Sequence, residues 1–136
     1  MSVGRDPIVL DSWAIMAYLG DEPGGERVAE IMAEAVEKST PLIMSVVNAA
    51  EVWYTVARRV SEAEADATET ALRELGIEFV DADWKLSHCA ARFKWKHRMP
   101  LADCFAAALA SLMNGRLVTG DADFRQVDGH ISVQWL

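Results

Sequence analysis

Ile8-Val9-Leu10-Asp11-Ser12 decides how this chain is read: three apolar residues, then an acid, then a hydroxyl. A short apolar run without polar alternation fits a strand covered on both faces, as in the middle of a parallel sheet. The expected strand covers residues 7–11. Asp11 or Ser12 is placed to cap a helix reaching about Leu19, before Gly20-Asp21-Glu22-Pro23-Gly24-Gly25 breaks it. An acid at the end of such a strand is costly unless it is paired, hydrogen-bonded or metal-bound.

Outward from this stretch, helices and strands alternate. Val28, Ile31, Met32 and Ala35 fall at helical spacing and predict a helix over residues 25–38. Pro41 separates it from a strand at Leu42-Ile43-Met44, and Ser45 caps a helix over 46–60 that ends in Arg58-Arg59. Ser61-Glu62-Ala63-Glu64 opens another helix with a capping-box pattern, closing near Leu75-Gly76. Ile77 to Val80 is a third strand and Trp84 to Arg98 a helix, which Pro100 divides from an alanine-rich helix over 102–113. Asn114-Gly115 stops that helix; Arg116-Leu117-Val118-Thr119 is a fourth strand and Ile131 to Trp135 a fifth. The alternation predicts an α/β sandwich around a mainly parallel sheet. Strand order is not legible from the pattern.

At 136 residues the chain is expected to form one domain over 1–136. Its apolar fraction of 51% and charged fraction of 25% are those of a globular protein. No apolar run approaches the roughly 20 residues of a membrane span, and the first residues show no secretory pattern, so a cytoplasmic protein is expected. Cys89 and Cys104 fit neither a zinc spacing nor a disulfide framework and read as small buried apolar residues. The net charge of -8 excludes a protein that coats nucleic acid by electrostatics alone. A nuclease is not excluded, because carboxylates kept for a cation inflate the acidic count and the cation reverses the local field.

Three further acids share the awkward setting of Asp11. Glu51 interrupts Val46-Val47-Asn48-Ala49-Ala50-Glu51-Val52-Trp53, Asp103 opens the alanine-rich helix, and Asp121 follows Leu117-Val118-Thr119-Gly120. Ligands of open parallel sheets bind beyond the carboxyl ends of the strands, where Asp11 and Asp121 stand. Glu51 and Asp103 join them only if their helices lean over that rim. Asp103, Ala106, Ala107 and Ala110 share one helical face, whose small side chains permit a close approach to the sheet. Convergence of the four would make a seat for a hard divalent cation. Read singly, each Asp can instead cap a helix or favour its amino-terminal dipole, and Glu51 can be an exposed surface residue.

In order and spacing these segments resemble the PIN domain, and most closely the VapC-type ribonuclease toxins of toxin–antitoxin modules. The similarity runs from Val9-Leu10-Asp11-Ser12 through Val47 to Val52 and Met99 to Ala110, ending at Leu117-Val118-Thr119-Gly120-Asp121-Ala122-Asp123-Phe124. The resemblance implies an α/β/α sandwich with an acidic pocket for Mg²⁺ or Mn²⁺. Its carboxylates would be Asp11, Glu51, Asp103 and Asp121, with Asp123 as a further acid reaching metal through water. Ser12 and Thr119 match hydroxyl positions that would orient the carboxylates, although a helix cap and a strand end explain them equally well. The implied activity is hydrolysis of RNA phosphodiester bonds, by one metal ion or two. The implied partners are a VapB-type antitoxin covering the pocket and a second copy of the chain.

Other features carry weaker readings. Arg92, Lys94, Lys96 and Arg98, interleaved with Phe93 and Trp95, are the best candidates for RNA backbone contact, with Arg58, Arg59 or Arg125 in support. A solvated helix face is the competing account. His97 stands near Asp103 in sequence, and Trp13 and Trp53 neighbour site acids but read first as packing residues. The amphipathic segments 25–38 and 46–60 are expected to form the antitoxin groove. Two alternatives keep the fold: an RNA-processing nuclease without a toxin role, and a binding module with a vestigial site. A phospho-acceptor receiver domain is excluded, because no lysine follows the last strand.

Overall fold

The computed structural model describes residues 6–136. Five strands, β1 (Ile8–Leu10), β2 (Leu42–Ser45), β3 (Ile77–Val80), β4 (Arg116–Thr119) and β5 (Ser132–Trp135), form one sheet in the order β3-β2-β1-β4-β5. Every pairing is parallel. The helices are α1 (Ser12–Leu19), α2 (Gly25–Glu37), α3 (Val46–Arg59), α4 (Glu62–Glu74), α5 (Trp84–Lys96) and α6 (Leu101–Leu112). The chain moves outward from β1 to β2 and β3, then returns to place β4 on the other side of β1. That reversal puts the topological switch point between β1 and β4.

The pleat explains the three layers. Ile8 and Leu10 face one core with Leu42, Met44 and Val118, packed against α1 to α4. Val9, Ile43 and Leu117 face the opposite core, built with α5 and α6. Successive side chains leave a strand on opposite faces, so a strand buried on both sides must be apolar throughout. This is the property legible in Ile8-Val9-Leu10. The α1–α2 approach is set by Gly25, where a Cβ would lie 2.3 Å from the Ala17 carbonyl oxygen.

Local signals act as the sequence predicts at several termini. Asp11 caps α1 by accepting from the Ala14 N–H, Ser45 caps α3 and Ser61 caps α4. Three expectations change. Helix α5 stops at Lys96, two residues before Arg98, where His97 turns extended. A 3₁₀ turn at Ala122–Val127, capped by Asp121, fills a stretch that the pattern left unassigned. Helix α6 is buried at every position from Asp103 to Ala110, not on one alanine face. It is enclosed by α3, α5, the strands β1, β2 and β4, and the 3₁₀ turn, since small side chains permit close approach on all sides. Of the segments 25–38 and 46–60, α2 packs on α1 and α3 packs on α4. An apolar groove along α3 is lined by Ala49, Trp53, Ala65, Leu72 and Phe79. Cys89 and Cys104 are free thiols, the second fully buried.

Candidate metal centre

Asp11 leaves the end of β1 and Thr119 ends β4, so the switch point brings them side by side. The Thr119 hydroxyl donates to Asp11 Oδ2 at 2.6 Å and accepts from the Asp121 N–H at 3.0 Å. Asp11 Oδ1 accepts from the Ala14 N–H at 2.8 Å. Both oxygens of a carboxylate only 1% exposed are therefore held by donors from two elements. Asp121 Oδ1 accepts from the Asp123 N–H at 2.9 Å, which turns Asp123 back toward the same rim.

Asp103 enters from the other layer. One of its carboxylate oxygens and one each from Asp121 and Asp123 lie within 4.8 Å of one another. Asp103 Oδ2 is buried and has no hydrogen-bond partner among the described residues. The Asp103 carboxyl is pushed well above the ordinary carboxylate range, first by burial, then by the charges of Asp121 and Asp11 and a hydrogen bond with Asp121. Burial also raises Asp11 to about 7, against the hydrogen bonds from Thr119 and Ala14 that lower it, with the Asp121 charge adding to the rise. Acids crowded at this spacing need protons or a cation. An orphaned buried carboxylate oxygen beside an all-oxygen donor set fits a hard divalent ion, which takes oxygen ligands.

Glu51 stands differently from the other acids. Its Oε1 accepts a short hydrogen bond from the Ser12 hydroxyl, and it lies outside the close Asp103–Asp121–Asp123 group among the described residues. It still reaches the same opening: Ser12, Glu51, Arg59, Pro100, Asp103 and Asp121 line one solvent-open cleft of about 340 Å³. The structure thus brings Asp11, Asp103, Asp121 and Asp123 into one electrostatic cluster and sets Glu51, bonded to Ser12, in the wall of the same cleft. Glu51 and Asp103 do lean over the rim.

Sequence reasoning passed over Asn48, which is fully buried one turn before Glu51. Its Nδ2 donates to the Ala102 carbonyl at 3.1 Å, tying α3 to the first turn of α6 beside Asp103. The signal was an amide inside an apolar stretch, which needs a partner when buried. Trp13 also acquires a definite job. Its indole lies over Gly120, where a Cβ would fall 2.3 Å from the ring, so only glycine lets the β4 exit pass beneath it. Gly120→Val is expected to displace either the indole or Asp121, weakening Mn²⁺ binding at least about tenfold and costing about 1–3 kcal/mol of stability. Calorimetric metal titration and thermal unfolding check both; unchanged affinity would show that the turn does not fix the site. Trp53 is taken up by packing, its indole N–H donating to Asp66 at 3.0 Å.

The basic run is not one patch. Lys94 Nζ donates to the Met99 carbonyl at 2.7 Å, and the Arg98 backbone is tied on both sides to the Gln126 amide. Arg58 lies over the Tyr54 ring and Arg125 over the Trp135 ring, while Arg59 alone of those three lines the acidic cleft.

A family model described as PIN domain matches residues 8–130. No protein of curated function matches the sequence. Among solved structures, the chain is similar to VapBC from Salmonella typhimurium bound to DNA, at 15% identity and a TM-score of 0.76, covering 96% of this chain and 98% of that one. It is similar to VapBC2 from Rickettsia felis bound to a promoter DNA fragment, at 15% identity and TM-score 0.73, covering 95% and 98%. A third is VapC20 of Mycobacterium tuberculosis, a Sarcin-Ricin loop cleaving toxin, at 19% identity and TM-score 0.64, covering 88% and 94%. At these identities the likeness is one of fold.

Proposed function

The chain belongs to the PIN domain family, and we propose that it is a divalent-metal-dependent endoribonuclease acting as the toxin of a toxin–antitoxin pair. The observation that carries this reading is Asp103, whose buried Oδ2 is partnerless and whose carboxylate offers an oxygen within 4.8 Å of oxygens of Asp121 and Asp123. We assign Asp11, Glu51, Asp103, Asp121 and Asp123 to hold Mg²⁺ or Mn²⁺, and the first four to the catalytic machinery. Such an ion, when bound, neutralises phosphate charge and lowers the pKa of an attacking water.

The chain's own residues do the positioning. Thr119 holds Asp11 and the backbone of Asp121 in one arrangement, and Ser12 holds Glu51 at the cleft wall. Preorganised carboxylates need no rearrangement when charge develops, which is where such sites gain their rate. Arg59, on the cleft wall, is placed to meet a substrate phosphate that the surrounding acids would otherwise repel.

A VapB-type antitoxin is the proposed partner. The similar Salmonella and Rickettsia structures are complexes of that kind, and a basic side chain inserted among these acids would replace repulsion with attraction. We further assign the chain to one domain over 1–136, to a homodimer and to the cytoplasm; no described helix is long and apolar enough to cross a membrane. The purified protein is expected to cleave single-stranded RNA with Mg²⁺ or Mn²⁺ and to stop in chelator. Cleavage that continues both in chelator and after Asp11→Asn would overturn the assignment. Expression is expected to arrest growth, and unimpaired growth would remove the toxin role while leaving the nuclease.

A further inference from the structure

Across α5 from Lys94, helical periodicity gathers a second charged feature. Lys85, Arg92 and Lys96 fall seven and four residues apart, and line a groove of about 540 Å³ with His88, His97 and His130. These are all three histidines of the chain. Among the described residues, no carboxylate pairs with Lys85, Arg92 or Lys96. Asp83, two residues before Lys85, accepts from the Leu86 N–H, and Asp128, two residues before His130, accepts from the Trp135 indole. A protein of net charge -8 thus keeps an unneutralised cationic groove.

Two tryptophans stand eleven residues apart on the same helix, about three turns, and so share one stripe of α5. Trp84 is 74% exposed and Trp95 81%, the most exposed large hydrophobic side chains of the described residues. Trp84 stacks on His88 with ring centroids 5.4 Å apart, which holds its outer face open. A hydrophobic side chain this exposed is ordinarily disfavoured, whereas cations with open aromatic faces are what a single-stranded nucleic acid requires. An acidic peptide would use the cations and leave the indoles idle.

We propose that this face of α5 is a subsite for single-stranded RNA, with Lys85, Arg92 and Lys96 on successive phosphates and Trp84 and Trp95 stacked on bases. It rests on the nuclease reading and adds to it where the strand lies outside the cleft. Lys85 and Lys96 are about 17 Å apart along the helix axis. His97 is three residues from Pro100, which lines the acidic cleft, a reach of at most about 11 Å. A strand held along α5 therefore runs toward the carboxylates, supplying the attraction that the acids themselves cannot.

Fluorescence anisotropy with a labelled single-stranded RNA, in chelator, over a series of salt concentrations tests this. Lys85→Gln/Arg92→Gln/Lys96→Gln is expected to weaken binding at least about tenfold at low salt and to flatten the slope of log affinity against log salt by about 2. Trp84→Ala/Trp95→Ala is expected to weaken binding at least about tenfold with the slope unchanged. Circular dichroism and Mn²⁺ titration confirm that both variants keep the fold and the acidic site. An unchanged slope in the charge variant overturns the proposal whatever the affinity, as does unchanged affinity in the tryptophan variant. Unaltered RNA binding with altered sedimentation would instead make this face a contact between copies of the chain. Wild-type protein that neither binds nor cleaves RNA would sink the nuclease reading as well; intact cleavage with indifferent variants sinks only the subsite.

Discussion

Asp103→Asn is expected to reduce metal-dependent RNA cleavage by roughly 10²–10³-fold or more, the scale on which a preorganised electrostatic group contributes. The same substitution should make the metal-free protein more stable at pH 8, by about 1–3 kcal/mol. The two effects share one cause. Asp103 is buried, its Oδ2 lacks a partner, and Asp121, Asp123 and Asp11 crowd it. Without a cation its charge is a liability, and an amide of the same shape removes that liability while finding an acceptor in Asp121. A structural carboxylate would show the opposite stability change. Kinetics beside thermal unfolding separates the cases, and an Asn variant that is both active and less stable would end the metal-centre assignment.

The metal-free protein is also expected to lose stability as pH rises. Asp11 is raised by burial from its ordinary value to about 7 in the folded chain. Between roughly pH 4 and pH 7 the folded state therefore binds a proton that the unfolded state has released. This contribution is fully present below the unfolded value and is lost as pH rises through the folded one. Its ceiling is on the order of 4 kcal/mol. Asp103, raised in the same direction, extends the loss to higher pH. The melting temperature in chelator is expected to fall by about 5–10 °C between pH 5.5 and pH 8. Saturating Mn²⁺ should restore about 2–4 kcal/mol at pH 8. Asp11→Asn should flatten the profile; a profile that stays steep in that variant would place the titration elsewhere.

The features legible in the sequence are those written in local chemistry. A fully apolar run identifies a strand buried on both faces, and an acid or hydroxyl before a periodic segment identifies a cap; β1, β2 and the start of α4 follow directly. What stayed hidden depends on the other side of an interaction. Nothing in Ile8-Val9-Leu10 specifies that β4 is its neighbour, yet that pairing turns two strand-end residues into one site. Asp123 gains its place from a 3₁₀ turn too short to show periodicity. Asn48 is a buried amide whose partner, the Ala102 carbonyl, belongs to no motif. The alternating basic run misled for a geometric reason: residues two apart on a helix face different ways, so Lys94 separates from Arg92 and Lys96.

The bond between Thr119 and Asp11 spans 108 positions of the chain. Synthesis proceeds from the amino end at about 5–20 residues per second. Asp11 and Glu51 therefore leave the ribosome well before Asp103, Asp121 and Asp123 exist. No product shorter than 123 residues holds a complete set of acids, and β1 must wait for β4 before the crevice closes. On the proposed nuclease reading, this topology leaves the nascent polypeptide without a complete site until Asp123 has been made.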